Sequence, residues 1–337
     1  MSSLPNTMQA IAITESGGPQ VLQPEQRPLP TPGPDEVLIK VHAAGVNRPD
    51  CLQRAGLYPV PPGASDLPGL EVAGVVAACG SNVSRWSPGD RVCALTHGGG
   101  YAQYCVADEG HCLAIAPHID DVLAAAIPET AFTVYSNVFM RGALAAGETL
   151  LVHGGSSGIG TTAIQIARAL GSDVVVTAGS DEKCRFCEQL GASLAINYRN
   201  SQWRNVLAEH YPQGIDVVLD MVAGHYVQDN LDSLKPDGRY ALIALIGGAM
   251  VSELNVAALL RKRLTFFGTT LRPQSVAAKR RIAQQVEQQV MPLVASGGFV
   301  PMIYERFELD DAAAAHQLME SGAHMGKIVL NVRHDSP

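Results

Sequence analysis

Basic side chains are scarce in this 337-residue chain: 24 lysines and arginines face 32 aspartates and glutamates, for a net charge of −8. The few that gather, Arg261-Lys262-Arg263 and Arg280-Arg281, stand apart. Nucleic-acid binding leaves a basic footprint, so no nucleic-acid partner is expected. Aromatic residues are few, at 5%. The seven cysteines are an odd, scattered set at 51, 79, 93, 105, 112, 184 and 187, which suits reduced thiols in a cytoplasmic protein rather than a disulfide framework. Cys184 and Cys187 share a helix face and read as packing. No apolar run approaches the roughly 18 residues that a bilayer demands, so no membrane span is expected. The opening Met1–Asn6 has neither the basic nor the apolar region of a secretory leader, so none is expected either.

What is abundant is apolar or small: 47% hydrophobic residues and 33 glycines, enough for two well-filled α/β domains at this length. The most telling stretch lies near mid-chain. Thr149-Leu150-Leu151-Val152-His153 is an apolar strand, Gly154-Gly155-Ser156-Ser157-Gly158-Ile159-Gly160 a glycine-rich turn, and Ile159, Ala163, Ile166, Ala167 and Leu170 share one helix face. Such a turn aims backbone N–H groups and the positive helix end at one point, which suits a pyrophosphate. The glycine order is not the usual G-x-G-x-x-G, so the spacing alone is weak.

The unit then repeats. Strands are expected at 173–177, 194–197, 216–221, 239–245 and 264–269, with helices between them. Continuous β-branched runs between helices predict a doubly wound, parallel, six-stranded Rossmann sheet. The first 130 residues differ. Short strands such as Val37–Val41 and Val72–Ala77 alternate with Gly/Pro turns, and Pro28, Pro30, Pro32 and Pro34 exclude helix there. A β-rich domain is expected over residues 1–130, rejoined by residues 273–337, around a nucleotide-binding domain of residues 131–272. A helix from about Ile127 to Met140 links them.

Several segments together resemble the medium-chain dehydrogenase/reductase superfamily: Gly45-Val46-Asn47-Arg48-Pro49-Asp50, Leu67-Pro68-Gly69-Leu70-Glu71-Val72-Ala73-Gly74, Pro88-Gly89-Asp90-Arg91-Val92 and Gly99-Gly100-Tyr101-Ala102-Gln103-Tyr104. Within it the chain is similar to the zinc-independent NADPH:quinone oxidoreductases. The segments 52–65, 155–162 and 177–180 most resemble the p53-inducible branch. The resemblance runs nearly the whole length. It implies an α/β protein with a GroES-like catalytic domain beside the Rossmann domain, usually a homodimer through the outermost Rossmann strand. It also implies no zinc. The zinc members place a cysteine where this chain has Asn47 and a histidine where it has Leu70, and their cysteine-rich lobe is missing after Cys93.

Site residues follow from the same comparison. The glycine turn (Gly155, Ser157, Gly158, Ile159, Gly160) is expected to bind the coenzyme phosphates. The second strand ends in Thr177-Ala178-Gly179-Ser180, with no acid for a ribose hydroxyl. Ser180, Lys183 and Tyr198 match positions that hold a 2′-phosphate, which favours NADP(H), with Arg199 as an aid. Asp181 approaching the ribose would instead favour NAD. Thr133, Leu245, Ile246, Gly247 and Phe267 are expected on the nicotinamide side. Asn47 and Tyr58 are expected as catalytic residues, one bonding an acceptor oxygen and the other stacking on a flat ring.

The expected reaction is hydride transfer from NADPH to a quinone. Two alternatives stay open: reduction of an activated alkene (a 2-alkenal or enoyl substrate), and a non-catalytic NADPH sensor. The turn also matches the short-chain dehydrogenases, but none of the tyrosines has a lysine four residues on, as that family requires.

Overall fold

A computed structural model describes residues 4–334. Strands dominate the first part of the chain because alternate apolar side chains find one buried face. In β1 (Thr7–Ile13) Met8, Ala10 and Ala12 are buried, and it pairs antiparallel with β2 (Leu22–Pro28). β3 (Glu36–Val46), β4 (Glu71–Cys79), β5 (Arg91–Leu95), β6 (Tyr104–Asp108) and β7 (Cys112–Ala114) follow. Between β3 and β4 runs the short helix α1 (Arg48–Arg54), started by Pro49 and by the Asp50 carboxylate, which accepts the Asn47 N–H at 2.8 Å.

The linking helix begins as α2 (Asp121–Ala124) and α3 (Pro128–Val134), and Tyr135–Arg141 is wound as a π-helix. The stretch Asp121–Arg141, 21 residues, does meet the length and composition of a membrane span, which corrects the expectation that no run comes near it. It is 72% buried over its most apolar window, the pattern of a core helix.

Next comes the strand–helix alternation: β8 (Thr149–His153), α4 (Gly158–Ala169), β9 (Asp173–Ala178), α5 (Asp181–Gln189), β10 (Leu194–Asn197), α6 (Trp203–His210), β11 (Ile215–Asp220), α7 (Tyr226–Ser233), β12 (Leu234–Leu242), α8 (Ala257–Arg261) and β13 (Thr265–Gly268). All six strands are parallel, in the order β10-β9-β8-β11-β12-β13. This is the doubly wound order, with its switch point between β8 and β11. β12 begins at Leu234 rather than Arg239 and ends before Leu245. Its register with β11 jumps between Ile215 and Val217, where Lys235-Pro236-Asp237-Gly238 bulges out and Asp237 takes φ +62°.

The chain then forms α9 (Val276–Gln289), α10 (Met291–Ser296), β14 (Ile303–Glu308), α11 (Ala312–Ser321) and β15 (Lys327–Asn331). The last two strands join the first part, giving a seven-stranded sheet ordered β14-β15-β3-β4-β5-β7, with β6 also on β3. Two compact units result: residues 4–132 with Arg272–Ala295 and residues 301–334, and Thr133–Leu271 with Ser296–Val300. Val37, Ile39, Val41, Val72, Val92 and Ile328 help fill the first core; Leu151, Val175, Val218, Leu231 and Tyr240 help fill the second.

Candidate functional site

In the second unit the glycine turn closes the end of β8 onto α4. Gly154 takes φ +77°, which side-chain-bearing residues rarely adopt. A Cβ on Gly155 would lie 2.5 Å from that of Val176, and one on Gly160 would overlap the carbonyl oxygens of Gly154 and Gly155. Strand and helix therefore meet backbone to backbone. Ser157 is the helix N-cap, its Oγ accepting the Gly160 N–H at 3.0 Å. Gly158 and Ile159 are half-buried in the first turn, where N–H groups lack helical partners. Sequence reasoning left Gly154 out of the binding set, although its positive φ makes the turn possible.

At the tip of β9, Ser180 caps α5 by accepting the Lys183 N–H at 3.2 Å. Its hydroxyl oxygen thus has a structural duty beside any ligand. The Tyr198 hydroxyl crowds Gly179, 2.8 Å from where a Cβ would stand, with Arg199 Nε at 3.6 Å from the same point. Burial, and then Arg199, hold the Lys183 ammonium below its usual range. Asp181 turns away: its Oδ1 accepts from Asn197 Nδ2 at 2.6 Å. The corner therefore gathers two cations and two hydroxyls; of its two nearby acids, Asp181 bonds Asn197, and Glu182 acts on Lys183.

Loops after β11 and β12 close on each other beside the turn. The N–H groups of Ile246 and Gly247 donate to the carbonyls of Met221 (3.0 Å) and Val222 (2.7 Å), and the Gly248 N–H to that of Leu245. Those groups are committed inside the loop. The side chains of Leu245 and Ile246 are exposed, at 53% and 63%, as an apolar lip. Met221 reaches back, its sulfur 4.0 Å from Ser157 Oγ. Thr133 is buried at the end of α3, and Asn137 Nδ2 donates to its carbonyl at 2.8 Å. Asn137 Oδ1 in turn accepts from Thr269 Oγ1, so the π-helix is tied to the residue just past β13. Phe267 is covered by Arg141, whose guanidinium carbon lies 4.3 Å from the ring centre.

Beneath the switch point runs a buried polar network that sequence reasoning missed. His153 Nε2 donates to Asn230 Oδ1 (2.7 Å), and its Nδ1 accepts from Thr177 Oγ1 (3.0 Å). Asn230 and Tyr240 both donate to Asp220, which also accepts the N–H groups of Val222 and Ala223. Burial keeps His153 neutral by lowering its pKa. The network fixes the Met221–Ala223 turn.

In the first unit, Asn47 does not project a free amide. Its Nδ2 donates to Glu71 Oε1 (2.8 Å), and its Oδ1 accepts from the Lys327 ammonium (2.6 Å). Lys327 also pairs with Glu71 at 2.5 Å, and Glu71 Oε2 accepts the Glu129 N–H at 2.9 Å. Glu71 and Lys327 are 0% and 3% exposed. Nothing in a single sequence links residues 256 positions apart. Leu70 is buried and apolar. Among the described residues, no group of three or more His, Cys, Asp or Glu could hold a metal ion. Cys184 and Cys187, spaced Cys-x-x-Cys on α5, are buried thiols pushed up by burial, Cys187 to about 12. Tyr58 is half-buried in the Pro59–Gly63 loop region, with the Arg272 guanidinium 5.7 Å from its ring centre.

Behind α1 lies a second network. Arg54 donates to His316 Nδ1 (3.4 Å), so His316 Nε2–H faces the Tyr101 oxygen (3.0 Å), and the Tyr101 hydroxyl reaches Asp50 (3.4 Å). Burial raises Asp50 to about 6; burial, then Arg54, lowers His316 to about 3. Asp50 also accepts the Gly69 N–H at 3.0 Å, which joins α1 to the segment before β4.

Comparison with known proteins agrees with this architecture. Residues 33–117 match the model of the alcohol dehydrogenase GroES-like domain, and residues 158–295 that of the zinc-binding dehydrogenases. Human quinone oxidoreductase is 32% identical over 96% of this chain and 97% of its own. A quinone oxidoreductase structure from Pseudomonas syringae is 30% identical, with a TM-score of 0.84 over 96% of this chain and 99% of that one. A mycobacterial structure in complex with NADPH is 29% identical, with a TM-score of 0.84 over the same shares. The CurK enoyl reductase structure also has a TM-score of 0.84, at 25% identity over 98% of this chain and all of that one. The chain is an oxidoreductase of the medium-chain dehydrogenase/reductase superfamily and belongs with the quinone oxidoreductases.

Proposed function

We propose that the protein reduces a quinone with NADPH as hydride donor and needs no zinc to do so. The corner at the tip of β9 carries this reading. Lys183 and Arg199 lie close enough to depress the lysine, and Asp181 bonds Asn197 instead of facing the coenzyme. Two cations, against the single Glu182 carboxylate that acts on Lys183, fit a doubly charged 2′-phosphate and leave an NADH ribose poorly served. NADPH, when bound, supplies the hydride. Gly154–Gly160 would hold its pyrophosphate on the α4 N-terminus, and Thr133, Phe267 and the Leu245–Gly247 lip would flank the nicotinamide.

The absence of a zinc requirement follows from the donor set. Asn47 and Leu70 are poor ligands, and of the two acids beside them Glu71 is paired with Lys327 and Asp50 is engaged by the Asn47 and Gly69 N–H groups. Alcohol oxidation leans on a Lewis acid, whereas an electron-poor quinone takes hydride with far less electrophilic help. Asn47 Nδ2 keeps one proton whose only contact among the described residues, to the Gly45 carbonyl, is 3.5 Å long. That proton and the Tyr58 ring are the groups left for an acceptor. The protein is read as cytoplasmic. A homodimer would form through the edge strand β13, near which Leu260 and Phe266 are exposed.

Titrating the protein with each coenzyme tests the reading: NADPH should bind at least tenfold more tightly than NADH, and Lys183→Glu should abolish the difference. Equal affinities would refute it. The likeness to an enoyl reductase supports a second reading, reduction of an activated alkene, which faster turnover of a 2-alkenal or enoyl thioester than of 1,2-naphthoquinone would favour. Tight NADPH binding without turnover of any acceptor would make the protein a sensor instead.

A further inference from the structure

Two buried cations of the first unit have no ion-pair partner among the described residues. Arg272 is 5% exposed and Lys279 0%. The Arg272 guanidinium donates from Nη1 to Gln53 Oε1 (2.6 Å) and from Nη2 to the His97 carbonyl (3.0 Å). Its Nε–H is buried with no acceptor. Lys279 donates to the Arg272 carbonyl (3.1 Å) and to His97 Nε2. Every one of these acceptors is neutral. Gly98, at φ +119°, leaves room for the fork: a Cβ there would stand 3.1 Å from Arg272 Nη2.

Burying a charge without a counter-charge costs several kcal/mol, and leaving an N–H unbonded adds to that cost. Burial accordingly lowers both groups, Lys279 to about 8. The acid that acts on Arg272, Asp50, is itself raised to about 6 and already accepts two backbone N–H groups and the Tyr101 hydroxyl. It offers weak compensation. A protein with eight surplus negative charges nonetheless gives neither cation an ion pair among the described residues. The Arg272 guanidinium carbon stands over the Tyr58 ring, within cation–π range of it.

We propose that Arg272, with Lys279 behind it, is a recognition site for an anionic group on an aromatic or quinonoid ring, a carboxylate or sulfonate, with Tyr58 stacking on the ring. The site prefers acidic acceptors over their neutral analogues. This rests on the placing of the acceptor at Tyr58 above, but its first test needs no turnover. Calorimetric titration of the whole protein with 2-naphthoate and with its neutral isostere 2-naphthamide should show the carboxylate binding at least tenfold more tightly. In Arg272→Gln the preference should vanish, and in Arg272→Lys part of it should survive, while melting temperature checks the fold. Equal binding of the two probes to the unaltered protein, or no binding of 2-naphthoate, overturns the proposal whether or not quinones are reduced. With turnover, Arg272→Gln should raise the KM for 1,2-naphthoquinone-4-sulfonate at least tenfold more than that for 1,2-naphthoquinone. Equal effects would also overturn it. Failure to reduce either quinone, with the naphthoate preference intact, would sink the quinone reading and leave this site standing.

Discussion

Replacing Lys327 by methionine should unfold the first unit more readily than any surface change could. The side chain keeps its length, but Glu71 is left as a fully buried carboxylate with only the Asn47 and Glu129 N–H donors. Breaking a buried pair from one side costs about 3–5 kcal/mol. For a unit of this size, that lowers the melting temperature by about 6–20 °C. Glu71→Gln strands the ammonium and should cost a similar amount. The double variant is the informative one. It removes both charges, and the glutamine carbonyl still serves one of the two donors, while the other donor and Asn47 Oδ1 lose partners, so the cost should fall well below the sum of the two single variants. Urea unfolding of the four proteins, followed by circular dichroism, gives the coupling directly. If the double variant loses as much as the two single ones added together, the pair is not coupled and the reasoning fails.

The Asp50–Tyr101–His316 network predicts a pH signature. His316 is lowered to about 3, so its stabilisation is full above pH 6.5 and is lost as the pH falls toward 3. Between pH 6.5 and 5 that loss is about 2 kcal/mol. Asp50, raised to about 6, works the other way: its contribution is full below about pH 4 and is lost as the pH rises through 6. His316→Gln should therefore flatten or reverse the fall in melting temperature between pH 7 and 5. An unchanged slope would show that the histidine is not buried neutral. Lys183→Glu should raise the KM for NADPH far more than for NADH, and an equal rise for both would refute the 2′-phosphate assignment. Gly160→Ala drives a methyl group into the turn carbonyls and should weaken coenzyme binding at least tenfold with helix content retained; unaltered binding would count against the turn as the phosphate site.

Most of the Rossmann unit was legible in the sequence because its signals are local. β9 and β11 are rich in β-branched residues, and α4 and α5 start at recognisable caps, Ser157 and Ser180. The β12 start escaped because Pro236 and Gly238 look like a loop, whereas here they form a bulge inside a strand. The membrane-like run at 121–141 escaped because Pro128 and Glu129 interrupt it in sequence, and α2 does give way to a turn before α3 resumes at Pro128. The site was legible where it depends on backbone, at the glycine turn, and hidden where it depends on partners. That Asn47 is held by Lys327 and Phe267 by Arg141 are tertiary facts. So is the lonely charge of Arg272.

The most direct test of the account is NADPH oxidation with 1,2-naphthoquinone by protein dialysed against a strong zinc chelator. The account predicts undiminished turnover after dialysis, no gain on adding zinc back, and kcat/KM at least tenfold higher with NADPH than with NADH. Activity that disappears with the chelator and returns with zinc, or an equal rate with NADH, would contradict it.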